Sequence, residues 1–399
     1  MMIFAVSAGI LFYDTPASGK VSHMKICIRC GNCYLILIAL FALIIFGNAH
    51  STEMPLDSRQ SVIDVRDAES EFIVQKGDFV IVPIPMSDPT LGTGLVLGGA
   101  YFYAQTEKQK ESQPASLTGV AGIYTNNDSY AFGIGQQNYW DEDKWRFNGL
   151  LAHADFKFAL LDPAKSSDTI DWVIEGDIVQ AEISRKILGD WYFGVQARYV
   201  NVIQIFDINL EEIIDFDIKS EMTSVGTGAT LMLDTRDVPT NAYTGMYFKV
   251  NALFNREISG SDDRYQTYEA SLKSYHQLAE PVVVAWEVRG CTKSGAVPLW
   301  DSCLVGLRGF AATDYLGTSS VSGQVEARWR VWKKLGVVGF AGYGASNSTY
   351  SEAGGDVSIP SYGFGFRFMV LESRRINMRL DFARSDDSDA VYLSVAEAF

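Results

Sequence analysis

The segment Val321-Ser-Gly-Gln-Val-Glu-Ala-Arg-Trp-Arg-Val331 alternates between two kinds of side chain. Its odd-numbered positions are apolar or small, whereas its even-numbered positions are polar and include Glu326, Arg328 and Arg330. Because successive side chains of a β-strand point to opposite faces, this pattern predicts a strand with one apolar and one charged face. Its length matches the ~9–11 residues that a tilted membrane-spanning strand needs.

The same alternation recurs around residues 246–254, 362–368 and 376–382, where apolar positions again alternate with glycine or with polar and charged positions. A soluble sandwich or barrel is the alternative, because its strands also alternate, but it would turn its charges outward to water. A membrane barrel turns its apolar face to lipid and its charges to the lumen. The strand lengths and the charged second face therefore predict an all-β, transmembrane antiparallel β-barrel.

The alternating pattern covers residues 79–399 and divides into about sixteen strands, the last at 390–399. An even number is usual for single-chain bacterial barrels. The longest links fall at 207–221, 291–320 and 347–360, all on one side, whereas most links on the other side are short turns. Long external loops and short periplasmic turns are the asymmetry expected of an outer-membrane barrel.

The first 49 residues have the build of a secretory signal region, which is removed on export. Basic residues precede an apolar run at 35–46, and a small-x-small cleavage site follows at 47–49. Met24 is the more plausible start of translation, and a membrane anchor is the alternative to a cleaved signal. Residues 50–78 then form a short periplasmic segment ahead of the barrel.

The composition argues against several classes of function. The formal net charge is −15, and an acidic chain is a poor nucleic-acid binder. No nucleophile motif, phosphate-binding loop or metal motif follows the signal region, so we expect no enzyme, cofactor or metal. Cys291 and Cys303 would meet an oxidising compartment, where a disulfide is the expected state.

Several short motifs occur in the order found in one family. The turn Asp234-Thr235-Arg236-Asp237 is followed by Pro239 and Gly245, and Leu307-Arg308-Gly309-Phe310 lies between the eleventh and twelfth strands. Prolines at 83 and 85 precede the first hairpin. Together these motifs resemble the bacterial surface antigen superfamily of outer-membrane assembly barrels, which includes BamA and TamA. The terminal Phe399 resembles the C-terminal signal by which such barrels are recognised by the assembly machinery.

The resemblance implies that the long sixth external loop folds into the lumen and that its arginine, here Arg308, docks on an acidic residue of the barrel wall. This sequence has Gly342 where the family often has that acid. Glu326 and Asp381, on lumen-facing positions, are the remaining candidates. We rank Glu326 first because it is closer in sequence to the loop.

The resemblance also implies a role in protein translocation or insertion, or in envelope assembly. Residues 50–78 are too few for one of the periplasmic POTRA domains of the assembly factors, so the similarity is to a barrel-only variant. Expected partners are outer-membrane lipid and lipopolysaccharide, the assembly machinery and other envelope proteins. Two alternatives are a passive solute pore lined by lumenal arginines and a structural surface-antigen barrel.

Overall fold

The computed structural model describes residues 77–88, 91–161, 169–210, 214–259, 261–310, 315–347, 357–372, 375–386 and 388–399. The predicted signal region and residues 50–76 lie outside the described residues. In the part of the chain that the structure describes, no helix has the length and hydropathy of a membrane-spanning helix.

The described residues form sixteen antiparallel strands and one short helix. The strands are β1 (Asp78–Asp88), β2 (Gly92–Phe102), β3 (Leu117–Thr125), β4 (Tyr130–Trp140), β5 (Trp145–Leu161), β6 (Thr169–Leu188), β7 (Trp191–Leu210), β8 (Ile214–Asp234), β9 (Gly245–Ser259), β10 (Arg264–Ala279), β11 (Val282–Gly295), β12 (Ser319–Trp332), β13 (Leu335–Ser346), β14 (Val357–Leu371), β15 (Ile376–Arg384) and β16 (Asp389–Val395). The helix α1 (Glu107–Ser112) lies between β2 and β3 and begins with a capping box at Thr106.

Each strand is hydrogen-bonded to the next in the order β1 to β16, which confirms the predicted antiparallel barrel. The edges β1 and β16 lie side by side. Among the described residues, however, no backbone ladder joins these two strands. We call this junction the seam. Each interior junction between the described strands is a backbone ladder, although five of them contain a register shift, so the seam differs from them in kind.

Strand β12, which contains residues 321–331, is oriented as predicted. On β12, Val321, Val325 and Trp329 are exposed on the outer surface, whereas Glu326 and Arg328 are buried inside. Large apolar side chains are exposed on the outer face along the whole barrel, among them Leu97, Val120, Phe132, Phe193, Phe254, Phe364 and Phe366. An exterior of this kind is compatible with lipid and costly in water.

Two predicted boundaries were wrong. The link expected at 207–221 is largely strand, because β7 and β8 stay paired out to Leu210 and Ile214. The alternation continues through the charged residues there, and their charge was misread as a loop signal. The last strand ends at Val395 rather than at Phe399. Ala396 has a positive φ of 69° and its N–H donates to Asn377 O, which turns the chain off the strand.

Three segments occupy the lumen. The loop between β11 and β12, here called the sixth loop, reaches the inner faces of β12 and β15 through Arg308. The β8–β9 turn, residues 235–244, contacts the β14–β15 turn through Asn241. The tail, residues 396–399, contacts β12. The described part of the lumen therefore contains these three segments.

Candidate functional site

Arg308 lies inside the barrel and binds both candidate acids. Its Nη2 donates to Glu326 Oε2 at 2.8 Å, and its Nη1 donates to Asp381 Oδ2 at 2.6 Å. Its guanidinium carbon lies 3.5 Å from the centre of the Phe340 ring. Arg308 therefore pairs with both acids and not with Glu326 alone, because the planar fork of one arginine can serve two carboxylates at once.

The two carboxylates also bind arginines of the barrel wall. Arg328 Nε donates to Glu326 Oε1 at 2.8 Å, and Arg367 Nη1 donates to Asp381 Oδ1 at 2.5 Å. Arg379 Nη1 lies 3.3 Å from Asp381 Oδ2. Glu326 and Asp381 are completely buried, and a buried carboxylate needs paired charges and hydrogen bonds to remain ionised. Arg308 thus joins a buried charged network of the barrel wall.

Glycines on β13 make room for the loop next to Arg308. A Cβ at Gly342 would lie 2.8 Å from Leu307 Cδ2, and one at Gly344 would overlap Val305. A side chain at 342 or 344 would therefore collide with the sixth loop. The loop lies against the wall where the side chain would otherwise be.

Gly309 and Phe310 complete the motif. Gly309 has a φ of +112°, and a Cβ there would lie 2.9 Å from the carbonyl carbon of Arg384. Its N–H donates to the hydroxyl of Tyr392 at 3.0 Å. Phe310 packs edge-on against Tyr315 with 5.0 Å between the ring centres. A residue other than glycine would strain both the backbone and this close approach.

A second set of loop contacts lies around the disulfide. Cys291, near the end of β11, forms the expected disulfide with Cys303, but the contacts of Asp301 were missed from the sequence. Between the two cysteines, Asp301 Oδ2 accepts from Arg198 and from Tyr265 OH at 2.6 Å, and Asp301 Oδ1 accepts from Lys293 Nζ at 2.9 Å. Burial would raise the pKa of Asp301, but the cations Lys293 and Arg198 outweigh it and hold that pKa below its ordinary value.

For the contacts of Asp301, the sequence offered one signal: Arg198 and Lys293 occupy lumen-facing positions of strands with alternating side chains. Period-two patterns give the face of each residue, but they do not identify which residues of distant strands meet.

The β8–β9 turn motif also forms ion pairs. Asp234 accepts from Arg236 Nε at 2.8 Å and from Arg146 Nη1 at 2.7 Å. The guanidinium of Arg236 lies 4.3 Å from the Tyr247 ring centre and donates to Pro239 O at 3.1 Å. Gly245 has a φ of +101°, and any Cβ there would clash with Thr235. These contacts therefore stabilise the conformation of the β8–β9 turn at the periplasmic mouth.

The second aspartate of the motif reaches the opposite side of the mouth. Asp237 Oδ2 accepts from Arg375 Nη1 at 2.5 Å, and its Oδ1 accepts from the N–H groups of Tyr243 and Thr244. Partial burial would raise the pKa of Asp237, but these hydrogen bonds outweigh it and lower that pKa below 3.8. The turn thus links β8–β9 to β14–β15 across the periplasmic mouth.

Phe399 lies inside the barrel and not on the outer face of β16. It is 8% exposed and packs against Ala242, Tyr275 and Ala285. Its carbonyl accepts from Arg328 Nη2 at 3.0 Å. Glu397 of the same tail accepts from Arg367 Nε at 2.7 Å. An acid suits this position because it faces the lumen.

Comparisons with known proteins give structural matches only. No protein-family model and no curated protein matches the sequence. BamA from Haemophilus ducreyi lacking POTRA domains 1–3 is 11% identical, with a TM-score of 0.50 over 83% of this chain and 76% of that one. CdiB from Acinetobacter baumannii is 10% identical, with a TM-score of 0.52 over 81% of this chain and 60% of that one.

At these identities the likeness concerns the fold. It agrees with the antiparallel barrel described above. The chain therefore has the sixteen-stranded transmembrane barrel fold of BamA- and CdiB-type outer-membrane proteins.

Proposed function

We propose that the protein acts in the outer membrane in protein translocation or insertion, or in envelope assembly. The observation that carries the proposal is the seam, where β1 and β16 are adjacent without a backbone ladder. A strand edge with free donors and acceptors can pair with another chain. A barrel with such an edge can accept a strand or open sideways into the bilayer.

The sequence of β1 explains why the seam is weak. Pro83 and Pro85 have no N–H to donate, and being two apart they present their backbone nitrogens to the same side of the strand. β1 pairs with β2 along its length from Asp78 to Asp88, and proline is tolerated in an edge strand where the position without an N–H faces away from the paired neighbour. We therefore infer that the missing donors face the seam.

Side-chain packing compensates at the periplasmic end of the seam. Val80 of β1 and Phe102 of β2 pack with Ile376 of β15 and Val395 of β16 in one buried cluster. Apolar contacts of this kind are not directional. They hold the two edges together without fixing a register, so they permit separation more readily than a ladder of hydrogen bonds.

The lumen argues against the passive pore. Of the four lumenal arginines that a pore would present to solutes, Arg328 and Arg367 are buried in ion pairs with Glu326, Asp381 and Glu397. Arg379 is half-buried beside Asp381, and Arg330 pairs with Glu280. The described parts of the sixth loop, the β8–β9 turn and the tail reach into the space between the walls. We therefore expect a low conductance in the resting state.

The decisive experiment closes the seam reversibly in cells. Cysteines are placed at the exposed position Ile81 of β1 and, one at a time, at the exposed positions of β16, beginning with Val391. Oxidation of a crosslinking pair should reproduce the outer-membrane protein and lipid profile of a deletion strain, and a reductant should restore the normal profile.

The matched control is a cysteine pair at Val337 and Phe366, which face each other across β13 and β14. Its oxidation should leave the profile unchanged, because that junction is already closed. A normal profile with the seam covalently closed would refute the proposed function. So would a deletion strain with an unaltered envelope.

A further inference from the structure

A pocket at the periplasmic mouth contains hydrogen-bonding groups that the described residues do not satisfy. It lies between the β8–β9 turn, the tail and the inner faces of β12 to β14, and its lining includes Asn241, Arg328, Arg367, Asn377 and Glu397. The pocket therefore lies where the turn, the tail and the barrel wall meet. None of these residues belongs to the loop motif.

Four side chains of this pocket carry a buried polar atom without a hydrogen-bond partner. Two are donors, Arg328 Nη1 and Arg367 Nη2, and two are acceptors, Asn241 Oδ1 and Asn377 Oδ1. Each of the four residues is more than nine-tenths buried. Leaving such groups unsatisfied is costly, and more so for a charged one, so their concentration in one pocket indicates a missing ligand.

The amide orientations are determined by their neighbours. Asn241 Nδ2 donates to Arg375 O at 3.2 Å, and Asn377 Nδ2 donates to Glu397 Oε1 at 2.6 Å. Both amide oxygens are therefore the free atoms and act as acceptors. The pocket requires a ligand that both accepts from guanidinium groups and donates to amide oxygens.

The charges of the lining also bear on the ligand. Five cationic side chains line the pocket together with two acids; the cations are Arg328, Arg330, Lys333, Lys334 and Arg367, and the acids are Glu280 and Glu397. Arg330 pairs with Glu280 and Lys334 with Glu372, and Arg328 and Arg367 also pair with Glu326 and Asp381 outside the lining. Lys333 is exposed and has no ion pair within the described residues.

The tail shows that a carboxylate fits the pocket. Glu397 already binds Arg367 Nε at 2.7 Å and lies 3.8 Å from Arg328 Nε. Its carboxylate leaves Arg328 Nη1 and Arg367 Nη2 free. A second carboxylate could therefore bind beside the first.

We propose that this pocket binds an acidic peptide segment that arrives from the periplasm. A carboxylate and backbone carbonyls of the peptide accept from Arg328 and Arg367, and its backbone N–H groups donate to Asn241 and Asn377. A phosphate or a lipid headgroup phosphate supplies acceptors but few donors, so it satisfies only half of the pocket. The proposal rests on the proposed function and names the class of segment that the barrel receives.

The test is peptide binding to the purified full-length barrel in detergent micelles, followed by fluorescence anisotropy. The probe is a labelled hexapeptide of alternating glutamate and valine, and the matched probe has glutamine in place of glutamate. We expect the acidic probe to bind ~10-fold more tightly, because charge-assisted hydrogen bonds are roughly twice as strong as neutral ones.

Variants connect the binding to this pocket. The double change Lys333→Gln, Lys334→Gln should weaken binding several-fold, whereas Lys144→Gln at the β4–β5 turn should leave it unchanged. Glu397→Gln should strengthen binding of the acidic probe, because it removes a competing negative charge. Heat-modifiable gel mobility checks that each variant is folded.

The opposite results overturn the proposal. Equal binding of the two probes, an equal loss with Lys144→Gln, or no binding means that water alone satisfies the pocket. Displacement of the peptide by inorganic phosphate at constant ionic strength, as efficiently as by unlabelled peptide, means a simple anion site. These outcomes leave the seam experiment untouched, so failure here is distinguishable from failure of the proposed function.

Discussion

Leu307 of the sixth loop fills the space beside Gly342 of β13, where a Cβ would lie 2.8 Å from Leu307 Cδ2. The loop and the wall are thus complementary in shape at this position. An acidic side chain at this position would collide with the loop. Arg308 pairs with Glu326 on β12 and with Asp381 on β15.

Gly342→Ala should therefore loosen the sixth loop. The added methyl group would also lie 2.9 Å from Gly323 O, and overpacking of this kind costs about 1–3 kcal/mol. The measurement is protease access to the loop in intact cells. Gly339→Ala on the same strand is the control, because a Cβ there meets nothing within 4 Å. Equal protection of both variants would contradict the predicted fit.

Arg308→Ala should release the sixth loop and leave the barrel folded. Breaking a buried ion pair costs about 3–5 kcal/mol, and we expect less here because Arg328, Arg367 and Arg379 still pair with the two acids. Protease access reports on the loop, and heat-modifiable gel mobility reports on the barrel. Arg256→Ala, at an exposed ion pair, should change neither. A loop that stays protected without Arg308 would argue against its anchoring role.

Cysteine pairs across the seam should crosslink less completely than interior pairs. Ile81 can be combined with successive positions of β16, and the Val337–Phe366 pair serves as the interior reference. The reason is that the seam has no backbone ladder to hold two positions opposite each other. The yield is read by non-reducing electrophoresis. Equal yields at the seam and in the interior would indicate a closed junction.

The Cys291–Cys303 disulfide should be present in the exported protein and should hold the first part of the sixth loop. It closes a sequence separation of 12 residues, and a loop of this size contributes ~3 kcal/mol in the disputed chain-entropy account. Non-reducing mass spectrometry should yield one crosslinked peptide. The double change Cys291→Ser, Cys303→Ser should increase protease access near Asp301. Two free thiols in the native protein would refute the prediction.

The link across the periplasmic mouth should resist acid. The pKa of Asp237 is lowered below its ordinary 3.8 by its hydrogen bonds. A lowered folded-state pKa contributes stability above the ordinary value, and this is lost as pH falls through the folded value. The Asp237–Arg375 contact should therefore persist at pH 4 and break only at lower pH. Asp237→Asn should weaken it at pH 4 and above and remove its pH dependence, as measured by crosslinking between the two turns. Loss of the contact between pH 6 and pH 5 would contradict this.

The strands were predictable because their signal is local. An alternation with a period of two gives the faces of β12 from eleven consecutive residues, and the length of each run separates a membrane strand from a shorter soluble one. The positions of Glu326 and Asp381 on the lumen face follow from the same rule. Both acids could therefore be named as candidates, although the rule does not measure their distance to Arg308.

The sequence by itself determined the barrel, its strand count and the side of the sheet on which each charge lies. Only the tertiary structure decided that one arginine binds two acids, 18 and 73 residues away, and that Phe399 turns inward onto Tyr275 and Ala285. The physical reason is that a strand pattern specifies faces, whereas contacts across a lumen depend on barrel closure and on the volume that glycines such as Gly342 leave free.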